Sequence, residues 1–313
     1  MTDTTVAGAI TAPAAGRRSR KPKSEPTGTD RIPKPSQGWY RVKGTDLKLR
    51  RVTTILEQGC SKGDALTFWA GNITAETAMD NLPYLVSSSL YPDQRTEAYD
   101  WLRRAHTRKK DERAEVGTAV HRLIESKVLG TPMPEELLAD DELAPFLSHF
   151  LRFVEEWQVE FEASEMVVGN EEEGYAGTLD YLLRSRLIAA ALAVYFATEV
   201  PHDAVFVGDT KTGGELDVKG VYPEAALQMA AYRKAKAAWL RDGTKVPMPA
   251  TFWAGVVLHL RPEGYRLIPA VADDAVFEAF LTVKRNAEWT SGLSKQVIRP
   301  ALTLPTNAEE KAA

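Results

Sequence analysis

The sequence predicts an α/β protein, because the hydrophobic pattern changes once along its 313 residues. Up to about residue 164 apolar residues recur at helical spacing, as at Phe146, Phe150, Phe153 and Trp157. From residue 165 short apolar runs bounded by Gly, Asn and Pro are typical of strands. A helical region followed by strands and a crossover helix predicts a sheet covered by helices.

The composition is that of an ordinary globular protein, with 44% apolar and 26% charged residues. The chain can bury a large core, either as one domain with extensions or as two smaller units. Its longest apolar run, from Leu187 to Ala197, is too short to span a bilayer. The first residues lack the apolar stretch of a secretory signal. We therefore expect a cytoplasmic protein with no membrane partner.

Cys60 is the single cysteine, which excludes a disulfide framework and a four-cysteine zinc or iron–sulfur site. The net charge of −4 argues weakly against a general nucleic-acid coat protein. It is compatible with a nuclease, because positive charge can be concentrated along a groove while bound metal offsets the acids of the site.

The two ends of the chain are predicted to be tails. Residues 1–36 are rich in Ala, Thr, Pro, Ser and Gly around a basic cluster, which predicts a disordered basic tail. Residues 301–313 are expected to be flexible. Between them we predict a single domain over 37–300, with a helical region at about 60–164, a sheet core at about 165–270 and a closing helix at about 273–290.

The elements follow in order from local patterns. Two short apolar runs at 39–42 and 47–52 flank Lys43-Gly44-Thr45-Asp46 and predict a hairpin. Helices are predicted at 62–80, 94–107, 114–128 and 142–163. Strands are predicted at 166–168, 175–183, 204–210, 252–260 and 265–268. Pro223 is well placed to begin a crossover helix over 223–240. The apolar stretch 187–198 fits a buried helix and a buried strand equally well.

The strongest chemical signal is Asp209-Thr210-Lys211, at the end of an apolar strand. Alternate side chains of a strand share one face, so Asp209 and Lys211 lie side by side. A carboxylate can hold a divalent cation, and an ammonium can orient or deprotonate a water that attacks phosphorus. Asp180 ends Gly177-Thr178-Leu179-Asp180, and it would meet Asp209 if the two strands are neighbours. The alternative for either aspartate alone is a solvated strand end.

His121 lies on a predicted helix that follows Gly117-Thr118, and Glu125 lies one turn further on the same face. The pair could supply a metal ligand and an orienting carboxylate, and an imidazole ligand would favour Mn²⁺ tolerance. A lone histidine on a helix is more often a core or surface residue than a metal ligand. Glu165 is a further candidate acid, although a surface salt bridge is the commoner role.

Gln228 and Tyr232 are four residues apart on one face of the predicted crossover helix. An amide and a hydroxyl can position a phosphate or a water without adding charge, whereas the structural alternative is a helix face packed on the sheet. Lys219 and Arg233 nearby are candidates for binding backbone phosphates.

A basic run precedes the His121 helix. Its candidate DNA-binding residues are Arg103, Arg104, Arg108, Lys109, Lys110 and Arg113. Such a run is usually a solvated face, but its position upstream of a candidate metal ligand makes phosphate tracking as plausible. Trp69 is expected in the core, with base stacking as its alternative.

Taken in order, Gly117…His121, Gly177-x-x-Asp180, Asp209-x-Lys211 and Gln228-x-x-x-Tyr232 resemble the RecB-like branch of the PD-(D/E)xK nuclease superfamily. The nearest types are phage recombination exonucleases and CRISPR-associated exonucleases. The resemblance covers residues 117–232 well and 51–270 loosely. No single motif is specific, and the signal comes from four motifs in the right order.

The resemblance implies a restriction-endonuclease-like core with a central mixed sheet flanked by helices and an N-terminal helical region. It implies that His121, Asp180, Asp209 and the Thr210 carbonyl bind Mg²⁺ or Mn²⁺. Lys211 would activate water, with Gln228 and Tyr232 completing the site. The implied function is a DNA exonuclease leaving 5′-phosphates in phage or bacterial recombination and repair, with linear single- or double-stranded DNA as substrate. A single-strand annealing protein is a candidate partner.

Two features depart from that group. The single cysteine cannot hold the iron–sulfur cluster of some relatives, and the 29 residues separating Asp180 from Asp209 predict an insertion at 187–201. The competing hypotheses are a catalytically inactive DNA-binding subunit of a recombination complex, an endonuclease of the same fold, and a module that works with a separate motor. The chain has no Gly-x-x-x-x-Gly-Lys-Ser/Thr loop of its own.

Overall fold

The computed structural model describes residues 27–42, 44–61, 63–216 and 220–302. Within them the chain forms one ten-stranded mixed sheet with helices on both faces. The predicted α/β class, with a mixed central sheet flanked by helices, is therefore confirmed.

The strands are β1 (Lys34–Ser36), β2 (Trp39–Arg41), β3 (Lys48–Arg51), β4 (Glu160–Asn170), β5 (Tyr175–Arg184), β6 (Phe206–Lys211), β7 (Ala237–Trp239), β8 (Lys245–Pro247), β9 (Ala254–Arg261) and β10 (Gly264–Val271). The helices are α1 (Val52–Gly59), α2 (Ala65–Asp80), α3 (Leu82–Ser89), α4 (Pro92–Arg103), α5 (Ala105–Leu129), α6 (Glu135–Leu138), α7 (Ala144–Glu156), α8 (Arg186–Phe196), α9 (Glu224–Arg233) and α10 (Asp274–Ser291). In the described part of the chain, no helix has both the length and the apolarity needed to cross a bilayer.

Strand β5 organises the sheet. One edge of β5 pairs antiparallel with β4 along its whole length. The opposite edge is shared: β3 pairs parallel with it at Tyr175 and Ala176, and β6 pairs antiparallel with it from Tyr181 to Leu183. The four residues Gly177–Asp180 lie between these partners without a main-chain ladder on that edge. We call this opening between β3 and β6 the β5 fork.

Helices cover both faces of the sheet. Apolar side chains of α1, α9 and α10 pack on one face, and those of α5, α7 and α8 pack on the other. Neighbouring residues of β9 serve opposite faces, because Val257 belongs to the first cluster and Val256 to the second. The sheet is therefore buried on both sides, and the β5 fork lies within it.

Helix α7 is shorter than predicted. The helical spacing of Phe146, Phe150 and Phe153 is confirmed, since all three are buried. The extension to residue 163 is wrong, because the helix ends at Glu156 and Gln158 adopts a left-handed φ of 48° before β4 begins. The strand therefore starts five residues before Glu165, at Glu160.

The ambiguous stretch 187–198 is a helix. In α8 the Ser185 side chain accepts a hydrogen bond from the Ile188 N–H at 3.1 Å and so caps the helix N-terminus. Ile188 and Leu192 are buried, whereas Val194 is 84% exposed. One face of α8 thus packs on the sheet, and the stretch is not wholly buried.

The predicted crossover helix 223–240 is wrong beyond Arg233. Residues Ala237–Trp239 form β7, which pairs with β4 at Val167–Gly169. The Ala-rich sequence has a high helix propensity, but pairing with β4 buries Ala238 and Trp239 in the sheet.

The predicted N-terminal tail overlaps ordered chain. A 3₁₀ helix at Gly28–Arg31 and strand β1 lie within residues 1–36, and β1 pairs with β2. The ordered part therefore begins before the predicted boundary at residue 36. The basic cluster of the tail and residues 303–313 lie outside the described residues.

Helices α1 and α10 cross closely at Gly59. A Cβ atom added at Gly59 would lie 2.2 Å from the main-chain carbonyl oxygen of Val283, so the backbones would have to separate. We expect Gly59→Ala to lower the free energy of unfolding by about 1–3 kcal/mol, measured by urea denaturation.

The matched control is Gly71→Ala on α2, where an added Cβ meets nothing within 4 Å. Alanine favours a helix interior over glycine by about 1 kcal/mol, so this variant is expected to be at least as stable as the parent. Equal stability of the Gly59 and Gly71 variants would contradict the close crossing.

Candidate metal centre

Asp180 lies at the inner end of the β5 fork. The ladder between β5 and β6 stops at the pair Tyr181–Gly208. Beyond this pair, the Thr210 N–H of β6 donates a hydrogen bond to the side-chain Oδ2 of Asp180 at 2.6 Å. The two strands are therefore neighbours, which was the condition for Asp180 and Asp209 to approach one another. The aspartate side chain takes the place of a main-chain partner.

Glu165 on β4 lies opposite Asp180 on the neighbouring strand β5. The pairs Ser164–Tyr181 and Met166–Leu179 flank this position in the antiparallel register of β4 and β5. Like charges directly opposite on neighbouring strands destabilise a sheet unless a cation lies between them. Glu165 also has a left-handed φ of 48°, a conformation that costs about 1 kcal/mol or more outside glycine. Glu165 therefore combines a strained backbone conformation with a like charge opposite it on the next strand.

Helix α5 brings His121 to the two acids. His121 Nδ1 lies 3.6 Å from Glu165 Oε1 and 3.7 Å from Asp180 Oδ2. One ligand atom from each of these residues lies within 4.8 Å of the other two. The His121 and Glu165 side chains remain 32% and 28% exposed, so a cation can reach them from solvent. We call His121, Glu165 and Asp180 the acidic triad.

Gly117 sets the approach of α5 one turn before His121. A Cβ at Gly117 would lie 3.1 Å from Thr212 Oγ1, in the segment that directly follows β6. The glycine thus lets the helix pack closely against the chain that leaves Lys211. This contact fixes the distance between the His121 helix and the strand that carries Asp209.

The acids control the charge of His121. Burial alone would lower the pKa of the imidazole, but Asp180 and Glu165 outweigh it and raise the pKa to about 9. For Asp180, burial raises the pKa above its usual value while His121 and Lys211 counteract part of that shift. The triad without a metal therefore holds an imidazolium beside its carboxylates.

Asp209 lies next to the triad and is 2% exposed. Its Oδ1 accepts hydrogen bonds from Lys211 Nζ at 2.8 Å and from Gln228 Nε2 at 3.0 Å. Its buried Oδ2 forms an ion pair with Lys211 Nζ at 2.6 Å. Burial raises the pKa of Asp209 to about 6, although Lys211 opposes that rise. A carboxylate oxygen can accept more than one contact, so Oδ2 can also face a further electropositive group.

Lys211 is an ammonium group in this arrangement. Burial would lower its pKa, but Asp209 and Asp180 raise it above the usual lysine value. An ammonium has three N–H donors and no acceptor. It can therefore orient a water or an anionic oxygen, but it cannot accept a proton in this state.

Gln228 and Tyr232 lie on the face of α9 that points to the fork. Gln228 Nε2 lies 3.3 Å from the Tyr232 hydroxyl and also bonds Asp209, and both residues are buried. The Tyr232 ring rests on Gly177, where an added Cβ would lie 2.4 Å from the ring carbon Cε1. Gly177 thus permits a close approach of the ring to the strand, a common reason for a glycine within a strand.

Thr210 and Glu125 are two further candidates for the predicted site. The Thr210 main chain lies beside the triad, since its N–H bonds Asp180, while its Oγ1 bonds the Tyr181 hydroxyl at 3.0 Å. The Thr210 carbonyl as a metal ligand stays a prediction. Glu125 forms an ion pair with Arg241 at 2.9 Å and is not part of the triad. The orienting role predicted for Glu125 is therefore wrong, and Glu165 joins His121 instead.

The residues of the basic run fall into two groups in the structure, those that line a cavity and those that lie elsewhere. Lys110 and Arg113 line a cavity together with Lys211. Arg103 and Lys109 form ion pairs with Asp100 and Glu112, and Arg108 stacks over the Trp101 ring. Arg104 is exposed at the junction of α4 and α5.

Of the two basic residues predicted near α9, Arg233 is described by the structure and is not among the residues that line this cavity. Arg233 forms an ion pair with Asp274 at 3.2 Å. Lys219 lies outside the described residues.

Tyr40 is a neighbour of the site that the sequence did not indicate. Its hydroxyl lies 2.8 Å from Thr178 Oγ1, inside the β5 fork, and burial raises the pKa of Tyr40 above its usual value. Tyr40 belongs to the N-terminal hairpin, whose alternation predicts only a strand. The nearest available signal was Thr178, which lies within the Gly177–Asp180 motif.

No protein-family model matches the sequence, and no curated protein matches it either.

The acidic triad gives a direct prediction for metal binding. We expect Mn²⁺ to raise the melting temperature of chelator-treated protein, because a ligand that binds only the folded state stabilises it. Asp180→Asn removes one carboxylate of the triad and is expected to weaken Mn²⁺ binding about 10-fold or more, measured by isothermal titration calorimetry.

Glu125→Gln is the matched control, because Glu125 lies on the same helix one turn after His121 but pairs with Arg241. It should bind Mn²⁺ like the parent protein. Unchanged binding in Asp180→Asn, or an equal loss in both variants, would refute the triad as the metal site.

Proposed function

We propose that this protein is a metal-dependent DNA exonuclease of the RecB-like PD-(D/E)xK superfamily with a restriction-endonuclease-like core. It would hydrolyse phosphodiester bonds and leave 5′-phosphates. The observation that carries the proposal is the acidic triad beside an ammonium held on Asp209, assembled around Asp180 at the inner end of the β5 fork. The order of the four sequence motifs supports the same assignment.

The residues present fit Mg²⁺ or Mn²⁺. Carboxylate oxygens suit both ions, and one imidazole nitrogen suits Mn²⁺. His121, Glu165 and Asp180 would hold the ion, and Oδ2 of Asp209, which is ion-paired with Lys211, offers a further oxygen. When bound, such an ion polarises the phosphate and lowers the pKa of a water. The single cysteine leaves no basis for an iron–sulfur cluster.

Lys211 would act on the reacting phosphate or water as a charged donor. Its ammonium contacts Asp209, and its remaining N–H groups can point to an anionic oxygen or a water. Gln228 fixes Asp209 from the other side and links it to Tyr232. Asp209 is therefore held between two donors, which sets the position of Lys211. Electrostatic stabilisation of this kind is commonly the largest single contribution to catalysis.

We place the activity in phage or bacterial DNA recombination or repair. The substrate would be linear DNA, with a single-strand annealing protein as a candidate partner. Any ATP-driven step would need a separate motor, since the chain carries no phosphate-binding loop of the Walker type.

Loss of the ammonium should abolish most cleavage. We expect Lys211→Ala to slow degradation of end-labelled linear DNA about 100-fold or more in Mn²⁺ or Mg²⁺, because one charge-stabilising donor commonly contributes that factor. Excess EDTA should stop the parent enzyme. The readout is the initial rate of release of labelled product on a denaturing gel.

Lys234→Ala is the control, because Lys234 is similarly exposed but pairs with Asp274. It should degrade DNA at the parental rate. Cleavage by Lys211→Ala within a few-fold of the parent would refute the role of Lys211. DNA binding without cleavage in any metal would favour the inactive-subunit alternative.

The topology of the substrate separates an exonuclease from an endonuclease. Lys211 and Gln228 line a cavity of about 490 Å³, which has the size of a small-ligand site rather than of a groove for a duplex. We therefore expect linear DNA to be degraded and covalently closed circles to remain intact, measured on agarose gels with the same enzyme and metal. Cutting of closed circles would replace the exonuclease assignment by an endonuclease of the same fold.

A further inference from the structure

Two cavities adjoin one another beside the candidate metal centre. The first is the cavity of about 490 Å³ that Lys211 and Gln228 line, here called the lysine cavity. The second measures about 730 Å³ and is lined by Trp69 of α2 and Leu227 of α9, here called the tryptophan cavity. The cavities share four lining residues, which are Lys110, Arg113, Tyr222 and Glu224. A continuous concave surface therefore leads from Lys211 to Trp69.

The shared wall is positively charged. Lys110 and Arg113 are three residues apart on α5, so both project from one face of the helix. With Lys211 they give three cations in the lysine cavity, against the two acids Glu57 and Glu224. Lys211 is engaged by Asp209, whereas Lys110 and Arg113 form no ion pair within the described residues. The wall can therefore neutralise about two phosphate groups.

Trp69 supplies an aromatic surface at the far end. Its side chain is half-buried, and it belongs to none of the three buried apolar clusters. Leu66, Leu227 and Val283 line the cavity around it. The expectation that Trp69 is a core residue is therefore wrong. An indole that faces a cavity next to two cations has the two features that hold an unpaired base and its phosphates.

We propose that this surface binds single-stranded DNA, with phosphates on Lys110 and Arg113 and a base stacked on Trp69. The inference rests on the proposed function and specifies its substrate as a separated strand rather than a duplex. The bases of a duplex are stacked on one another, so only an unpaired base can present its face to the indole. The strand path begins at Lys211, where the bond to be broken would lie.

Stacking on Trp69 is tested by fluorescence anisotropy with a labelled oligodeoxythymidine of about 12 nucleotides, a length in the range of known single-strand sites. EDTA is present throughout, and a gel confirms that the oligonucleotide stays intact. We expect Trp69→Ala to weaken binding about 10-fold, because stacking on an aromatic side chain contributes about that factor for each base. Trp69→Phe keeps an aromatic ring and should retain most of the affinity.

Trp289→Ala is the matched control, because Trp289 is 47% exposed and lies outside both cavities. It should bind the oligonucleotide like the parent. A blunt duplex of the same length should bind parent and Trp69→Ala equally. Thermal melting of each variant by circular dichroism checks that the fold is kept.

The phosphate contacts are tested by the salt dependence of the same binding. For single strands the slope of log K against log salt falls by about 0.7 for each phosphate contact that is lost. The double variant Lys110→Ala, Arg113→Ala should reduce the slope by about 1.4. Lys236→Ala should leave the slope unchanged, because Lys236 is exposed, pairs with Glu172 and lies outside both cavities.

Oligonucleotide affinity unchanged by Trp69→Ala, an equal loss for duplex, or an unchanged salt slope in the double variant would each overturn the proposed strand path. The binding assay is independent of hydrolysis, so the two proposals can fail separately. Degradation of linear DNA that depends on Lys211, with parental oligonucleotide binding in Trp69→Ala, would remove the path and keep the nuclease. The expected binding changes without hydrolysis in any metal would keep the path and remove the nuclease.

Discussion

The division of one edge of β5 between two partners is the constraint on which the site depends. Strand β3 takes the start of this edge and β6 takes its end, so Gly177–Asp180 have no main-chain partner there. A strand edge inside a sheet must satisfy its polar groups in another way. The Asp180 carboxylate does so for the Thr210 N–H, and the Thr178 hydroxyl bonds Tyr40. In the fork, polar side chains thus take the place of a main-chain hydrogen-bond ladder, and such side chains are able to act as ligands or catalytic groups.

Charged side chains are also concentrated around the fork. Because they are buried or partly buried, solvent alone cannot balance their charges. Glu165, Asp180 and Asp209 face the two cationic groups His121 and Lys211, which leaves one net negative charge in a largely buried space. Removing either cation would leave buried carboxylates uncompensated, which costs more than the pair contributes. A divalent ion in place of the imidazole proton would match three carboxylates better than the proton does. The arrangement is therefore more compatible with a ligand-binding role than with a structural ion pair.

The local sequence pattern was sufficient to predict which residues lie side by side when both belong to the same strand or helix. Asp209 and Lys211 follow from the alternation of a strand, and Gln228 and Tyr232 from the repeat of a helix. Glu165 could be suspected but not placed, because its position opposite Asp180 depends on a register shift between Phe161 and Ala163 of β4. Tyr40 reaches the fork only through the pairing of β2, β3 and β5 across 138 residues of sequence. The predicted continuation of the helix beyond Arg233 was wrong for a related reason, because pairing with β4 overrides the helix propensity of alanine.

The buried core and the proposed DNA path use different parts of the chain. The buried clusters take their side chains from the sheet, its covering helices and the N-terminal hairpin, whereas α2 contributes no buried residue. Yet α2 places Trp69 on the surface that leads to Lys211, and the exposed part of α5 places Lys110 and Arg113 there. Substitutions at these positions can therefore test the proposed DNA path with little effect on the packing of the core.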